Sequence, residues 1–229
     1  MEVTSMDGKS LKFDAVLLLS GGLDSTANLA FSYEEGKKVL GLNIHYGQRA
    51  SVSERMASRV FSKYYDSDYR EVDLGFLGNL GGSSLTDGAT HVPTLSTDQL
   101  DDRSVTEKSA KSVWVPNRNG LFIQAAAAFA ERFSASEVLV GFNKEEAATF
   151  PDNTTDFMVA SSTALRFSTA NGVKVGSYTD QLDKREIVLK LRQLKKKDFP
   201  FSMVWSCYHP GNEPCGECES CRRFRRATA

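Results

Sequence analysis

Two groups of residues in this 229-residue chain have types and spacings that could do chemistry. The first is Leu19-Ser20-Gly21-Gly22-Leu23-Asp24-Ser25-Thr26. It follows the apolar run Val16 to Leu19, which reads as a short buried strand, and leads into Thr26 to Phe31, of helical composition. A strand that passes to a helix through Ser-Gly-Gly aims bare backbone N–H groups, backed by the helix dipole, at one spot. The paired glycines let a bulky anion approach the main chain, and Ser20, Ser25 and Thr26 add hydroxyl donors. The simplest ligand for such a place is a phosphate. Neither G-x-x-x-x-G-K-[ST] nor G-x-G-x-x-G occurs, which excludes a Walker loop and the dinucleotide fingerprint. The plain alternative is an ordinary tight turn between a strand and a helix.

The second group is Cys207, Cys215, Cys218 and Cys221, spaced C-x7-C-x2-C-x2-C, and it holds all the cysteines of the chain. Four thiolates on a Gly/Pro-rich segment can form a tetrahedral S4 site, which Zn²⁺ fills without redox demand; an iron–sulfur cluster is the competing occupant. A full set of ligands with no open position favours structural zinc and leaves His209 outside the first shell. Arg222, Arg223, Arg225 and Arg226 follow, placed to offset the negative charge of the thiolates or to touch RNA.

With 41% hydrophobic residues and a net charge of −1, the chain can bury a full core and carries no polybasic field for nucleic acid. Its apolar runs are too short to span a bilayer, and Met1 to Phe13 lacks the h-region of a signal peptide. The expected location is cytoplasmic, where clustered thiols point to metal rather than disulfides.

The elements that must position these groups alternate. Val39 to Ile44 reads as a second strand, and His45-Tyr46-Gly47-Gln48-Arg49 follows at its C-terminal end. The C-terminal ends of an open parallel sheet line its ligand crevice, which puts His45 and Gln48 beside a nucleotide; a His45 bonded to nearby backbone is the plain alternative. Ser51 to Tyr65 reads as a helix capped by Ser51 or Ser53, and Tyr69 to Leu74 as a third strand. Gly75 to Ser112 keeps no period and reads as a long functional or mobile loop, with Asp98, Asp101 and Asp102 as a solvated acidic run.

Pro116 breaks a short apolar strand at Val113 to Val115, and Asn117 or Asn119 can cap the Ala-rich helix Leu121 to Phe133. Arg118 then sits near a helix N-terminus, where guanidinium and dipole together favour an anion. Glu137 to Gly141 is a further strand, followed by the polar loop Phe142 to Asn153 and a helix over Asp156 to Thr169. Val173 to Val175 starts the last strand, and Asp183-Lys184-Arg185-Glu186 caps the helix Ile187 to Leu194. Alternation of this kind predicts an α/β fold with an open parallel sheet flanked by helices.

Ser20-Gly21-Gly22-Leu23-Asp24-Ser25 resembles the S-G-G-x-D-S pyrophosphate loop of the PP-loop ATP pyrophosphatases. Together with the cysteine tail, the chain resembles the QueC family, the 7-cyano-7-deazaguanine synthases, along nearly its whole length. The shared runs are His45-Tyr46-Gly47-Gln48, Gly82-Ser83-Ser84-Leu85-Thr86, Val115-Pro116-Asn117-Arg118-Asn119, Phe150-Pro151-Asp152, and Asp183-Lys184 with Glu186-Ile187-Val188. The resemblance implies a HUP-like (adenine nucleotide alpha hydrolase) PP-loop domain over 10–199 and a small zinc-binding segment over 200–229.

It also implies a carbon–nitrogen ligase. Members convert 7-carboxy-7-deazaguanine and ammonia, with ATP, to the 7-nitrile preQ0 through an adenylated carboxylate and an amide, for queuosine or archaeosine synthesis. On that pattern Leu19 to Thr26, with His45 and Gln48, would hold ATP, and Asp24 would support Mg²⁺. Arg118 and Lys184 would stabilise developing charge, and Arg118, Asn119, Glu146, Phe150, Asp152 and Asp156 would meet the deazaguanine. The run Glu146-Ala147-Ala148-Thr149-Phe150-Pro151-Asp152-Asn153-Thr154 departs from the Asp-Tyr-Ser-Gly-Tyr-Pro-Asp-Cys-Arg type of most bacterial members and looks more like archaeal-type ones. That departure leaves open a relative joining the activated carboxylate to another amine. A non-catalytic zinc-ribbon module for RNA is the rival of a different class, and it leaves the phosphate loop unexplained. Expected partners are the small-molecule substrates and a second copy in a homodimer, with no membrane and no nucleic acid.

Overall fold

A computed structural model describes residues 11–229. Met1 to Ser10, and with it the expected start of the PP-loop domain at residue 10, lies outside the described residues. Five strands, β1 (Ala15–Leu18), β2 (Val39–His45), β3 (Asp68–Asp73), β4 (Glu137–Leu139) and β5 (Lys174–Gly176), make one parallel sheet in the order β3-β2-β1-β4-β5. The helices are α1 (Leu23–Glu35), α2 (Ser51–Tyr64), α3 (Arg103–Val113), α4 (Arg118–Arg132), α5 (Lys144–Ala147), α6 (Thr155–Ser168), α7 (Lys184–Leu191) and α8 (Glu219–Thr228). The predicted α/β class with an open parallel sheet is what the chain adopts.

Period-two alternation in β1 divides the core. Ala15, Leu17 and Leu19 enter one cluster with Ala27 and Leu29 of α1, Phe61 of α2 and Ile187 of α7. Val16 enters the other with Ile123 and Ala126 of α4 and Met158 and Leu165 of α6. Because both faces are covered, β1 reads as an unbroken apolar run and β2 as one interrupted only by the buried, hydrogen-bonded Asn43 before its final His45.

β1 pairs with β2 on one side and with β4 on the other, so the connection order reverses there and a crevice opens outside the strand ends. Two glycines set how tightly it is built. Gly21 has φ +83°, and a Cβ on it would lie 2.7 Å from Ala57 Cβ and 2.9 Å from the Glu54 carbonyl. At Gly141, just past β4, a Cβ would lie 2.7 Å from Ser25 N. The loop after β1 is thereby pressed between α2 and the end of β4, with the N-terminus of α1 over the crevice.

The structure departs from the sequence reading in several places. Residues 103–113 form α3 instead of loop, because Asp102 accepts hydrogen bonds from the N–H groups of Ser104 (2.9 Å) and Val105 (3.3 Å). The buried face of α3 is Thr106, Ser109, Ala110 and Val113, too small and polar to print an apolar period. Val113 ends that helix, so the short strand expected before Pro116 does not form. Neither expected serine caps α2: Ser51 Oγ is 2.9 Å from His45 Nδ1, and Ser53 Oγ donates to the Gly211 carbonyl at 3.1 Å. Asn117 holds the cap position of α4 in a left-handed conformation without a side-chain bond, while Asn119 is buried and donates to the Asp152 carbonyl. Asp183 does cap α7, in a reciprocal capping box with Glu186.

Residues 200–229 are built into the rest. The Trp205 N–H donates to the Gly21 carbonyl at 2.9 Å, Ala227 joins the α1/α7 core, and Thr94 bridges to Cys218. No helix among the described residues is long and apolar enough to cross a membrane.

Candidate active site

The crevice at the ends of β1 and β4 holds a cavity of about 260 Å³. Leu19, Ser20, Gly22, Leu23, Asp24 and Ser25 line it. Gly22 occupies the N-cap of α1 and offers no side chain, so the first N–H groups of that helix are left for an anion. The loop is braced from within: Ser25 Oγ accepts the Ser20 N–H at 3.2 Å and donates to the Gly22 carbonyl at 3.1 Å. The Thr26 hydroxyl is spent on the Gly22 and Leu23 carbonyls and is fully buried, so it stiffens the turn rather than facing the cavity. Gly21 likewise faces α2.

Opposite the loop, the start of α7 delivers Lys184, only 7% exposed. Its Nζ lies 2.6 Å from Asp24 Oδ2 and 2.9 Å from Glu146 Oε1. Burial alone would lower the lysine pKa, but the two carboxylates outweigh it and hold the ammonium charged. Burial pushes the Asp24 carboxyl up to about 6 against the pull of Lys184. Asp24 Oδ1 is buried with no partner among the described residues. An orphaned carboxylate oxygen beside an uncapped helix N-terminus is a donor of the hard type that Mg²⁺ takes, so the residues fit that ion.

Arg118 is the first residue of α4 and lines the same cavity. Its Nη1 donates to Tyr46 Oη at 3.4 Å and its guanidinium lies 5.6 Å from the Tyr46 ring centre, yet no carboxylate among the described residues comes within ion-pair distance of it. Asp152 and Glu54 act on it only from beyond ion-pair distance, so a half-buried guanidinium at a helix N-terminus keeps its donors for an anionic group. Asn119, Glu146 and Phe150 also reach the wall, and the Phe150 ring lies 6.3 Å from Trp114 at an interplanar angle of 8°.

Other residues proposed from sequence sit elsewhere. His45 is off the cavity wall, its ring turned toward Ser51. Gln48 lines the cavity but is committed to structure: Oε1 accepts the Tyr46 N–H at 2.8 Å, and Nε2 donates to the Ile44 carbonyl (3.2 Å) and to Glu54 (2.8 Å). Asp152 accepts from Asn153 at 3.2 Å and lies behind the wall, and Asp156 is exposed in the first turn of α6.

Glu54, in the first turn of α2, is a further wall residue. Burial raises its carboxyl pKa, offset in part by the Gln48 hydrogen bond and by Arg118. A carboxyl held above its unfolded value stabilises the fold below the unfolded range and loses that contribution as pH rises through the folded value. Glu54→Gln should therefore change Tm little near pH 4 and raise it near pH 8. Thermal melts across that range check this, and an equal shift at both ends contradicts it.

The cysteines converge: the four Sγ atoms lie within 4.8 Å of one another, with Cys207, Cys218 and Cys221 buried and Cys215 exposed. Four thiols and no open position fit a structural S4 metal site. Two of the neighbouring arginines pair with carboxylates. Arg223 pairs with Glu145 (2.8 Å) and Glu219 (2.9 Å), and Arg226 with Asp101 (2.8 Å) and Glu145 (3.2 Å). Trp205, Tyr208 and Arg223 from this segment line the cavity, a role that no local pattern announces because only the tertiary fold brings the tail over the strand ends.

Comparison with known proteins places these features in a family. The family described as Queuosine biosynthesis protein QueC matches residues 14–229. A 7-cyano-7-deazaguanine synthase of Desulforamulus reducens is 46% identical over 93% of this chain and 92% of its own. One from Pelotomaculum thermopropionicum is 44% identical over 93% and 95%, and an archaeal one from Methanosarcina mazei 43% over 93% and 92%. Among solved structures, an NMN synthetase from Francisella tularensis aligns at a TM-score of 0.44 and 11% identity over 95% of this chain and 84% of that one. With the match running from before β1 to the last residue, through both the phosphate loop and the four cysteines, the chain belongs to the QueC family.

Proposed function

We propose that this chain converts 7-carboxy-7-deazaguanine, ammonia and ATP into 7-cyano-7-deazaguanine. The observation that carries the reading is one cavity faced at once by the uncapped N-terminus of α1, by Lys184 and by an Arg118 that makes no close ion pair among the described residues. Three positive elements around one space suit a reaction that gathers a triphosphate and a carboxylate and then releases pyrophosphate.

A carboxylate is a poor electrophile until one oxygen becomes a leaving group. Its oxygen attacks the α-phosphorus of ATP, and the bond to pyrophosphate breaks. The N–H groups at Leu23 to Ser25, with Lys184, hold the charge that develops on the departing pyrophosphate. Arg118 orients the carboxylate and neutralises the anionic adenylate. Ammonia then adds its lone pair to the acyl carbon, AMP leaves, and loss of a proton gives the amide. The amide oxygen repeats the attack on a second ATP, releasing a second pyrophosphate, and departure of AMP with loss of both N–H protons leaves the nitrile. No protein nucleophile is required; the protein contributes position and charge. Phe150 would stack on the deazaguanine, and the carboxylates of the wall, Glu146 among them, would accept from its N–H edge; their position on the cavity wall supports this. Asp24 Oδ1 would hold Mg²⁺, which when bound offsets phosphate charge. Cys207, Cys215, Cys218 and Cys221 would hold Zn²⁺ as a structural ion.

Mass spectrometry of purified protein incubated with ATP, Mg²⁺, ammonium and the 7-carboxy acid tests the reading. The nitrile and AMP are expected, with the amide as a transient. Zinc-loaded protein that leaves the acid unconsumed refutes it. The same reading carries a homodimer in the cytoplasm, which light scattering and cell fractionation test.

A further inference from the structure

We propose that Arg223 is a positioning residue: it reaches from the cysteine segment to Glu145, and through Glu145 it fixes the start of α7, which carries Lys184 over the phosphate site. The chain of contacts is continuous. Arg223 lies in α8 just past Cys221, with Nη1 2.8 Å from Glu145 Oε2 and Nη2 2.9 Å from Glu219 Oε1. Ser109 Oγ donates to the other oxygen of Glu219, which fixes that carboxylate from α3. The second oxygen of Glu145 accepts the backbone N–H of Lys184 at 3.0 Å.

That N–H belongs to the first residue of α7 and has no partner inside the helix, and a carboxylate there also meets the positive end of the dipole. Lys184 Nζ, on the same residue, reaches Asp24 at 2.6 Å and Glu146, the neighbour of Glu145, at 2.9 Å. One short segment thus holds Lys184 twice, by its backbone through Glu145 and by its ammonium through Glu146. The cysteine segment grips that segment with the planar fork of an arginine.

The side chains of Arg223, Glu145 and Glu219 are only 13%, 17% and 12% exposed, so the pairing is shielded from solvent and from salt. A lysine at this place would keep the charge but could not bridge both carboxylates in one plane. Arg226 also reaches Glu145, but at 3.2 Å and shared with a largely exposed Asp101, so it supports the carboxylate from one side only. The inference rests on the reading that Lys184 acts in turnover.

The test uses the full-length, metal-loaded chain. Arg223→Lys and Glu145→Gln should each lower kcat for consumption of the acid by roughly 10–100-fold, the scale of a misplacement near 1 Å. KM for ATP and for the acid should stay within about twofold. The double variant should lose little more than either single one, because the two residues act along one path. Arg225→Lys, on an exposed position of the same helix, should keep wild-type kcat. Amide hydrogen exchange over residues 184–187 should quicken in both Arg223→Lys and Glu145→Gln, at unchanged metal content. Glu145→Gln keeps the experiment decisive should the tail variant fold poorly, since it lies outside the cysteine segment. Additive losses, a raised KM for the acid at wild-type kcat, or unchanged exchange over 184–187 would each overturn the proposal. A wild-type chain inert toward the acid would fell the functional reading alone, because the exchange measurement still decides the link.

Discussion

Lys184→Met should remove ATP-dependent consumption of the acid by roughly 10²–10³-fold and cost about 3–5 kcal/mol of stability at neutral pH. The stability loss follows from what remains behind. Lys184 Nζ is the counter-ion for both Asp24 and Glu146, at 2.6 and 2.9 Å, and its side chain is 9% exposed. Without it two carboxylates face each other in one shielded cavity, and one of them already has its pKa raised to about 6 by burial. Both folded pKa values then rise above the unfolded ones. A group so raised contributes stability below its unfolded value and loses it as pH rises through the folded value. The deficit of Lys184→Met against wild type should therefore be small near pH 5 and largest near pH 8. Urea titrations at the two pH values measure it, and a deficit equal at both would show that the lysine matters only for packing. Restoring charge with Lys184→Arg should recover most of the stability and little of the turnover, since a longer planar group cannot place its charge where Nζ sits.

Why Lys184 could be singled out from sequence, and Arg223 could not, is a matter of range. The phosphate loop is local: a buried strand, small residues and a helix start are contiguous, so Ser20 to Ser25 could be read without a fold. The thiols are likewise contiguous, and their spacing alone brings them within reach of one ion. Asp183 and Glu186 signal the start of α7 by a capping box, which puts Lys184 at a helix N-terminus before any tertiary contact is known. The wall of the cavity is different. Glu54 projects from α2, Trp205 and Tyr208 from the tail, and Arg223 from a helix whose arginines read as charge set against the thiolates or against RNA. Their contribution depends on the tail folding back over the strand ends, a contact between distant parts of the chain that leaves no local period. The same limit explains His45, which sits at the right strand end but turns to Ser51 six residues on. It explains α3 too, whose buried face is nearly all small or hydroxyl residues.

Cys218→Ser should abolish metal binding and take catalysis with it, although no cysteine is needed for the chemistry. Cys218 is fully buried, stands at the N-cap of α8 and bridges to Thr94 of the long segment that folds over the cluster. Metal affinity in such small sites is largely folding free energy, on the order of 10–16 kcal/mol in isolated zinc-binding peptides. Losing a central ligand loosens the cysteine segment. The cluster is packed by Val92, Trp205 and Tyr208 rather than by a core of its own, so the stretch between the core anchors Val204 and Phe224 loses its main support. Trp205 bonds the Gly21 carbonyl through its backbone and lines the cavity, so its departure opens the wall beside the phosphate loop. The expected results are metal content falling from about one ion per chain to none and new protease cleavage within 200–229. Turnover should drop by on the order of 100-fold, with the β1-centred core still melting cooperatively. Cys215→Ser should be milder, because that thiol is exposed and three buried ligands remain. Chelation of the wild type should reproduce the loss of Cys218→Ser, and Zn²⁺ should reverse it there and not in the variant. Full turnover by a metal-free Cys218→Ser chain would mean that the cavity wall stands without the ion, and that the tail is held by its core contacts and arginine–carboxylate pairs.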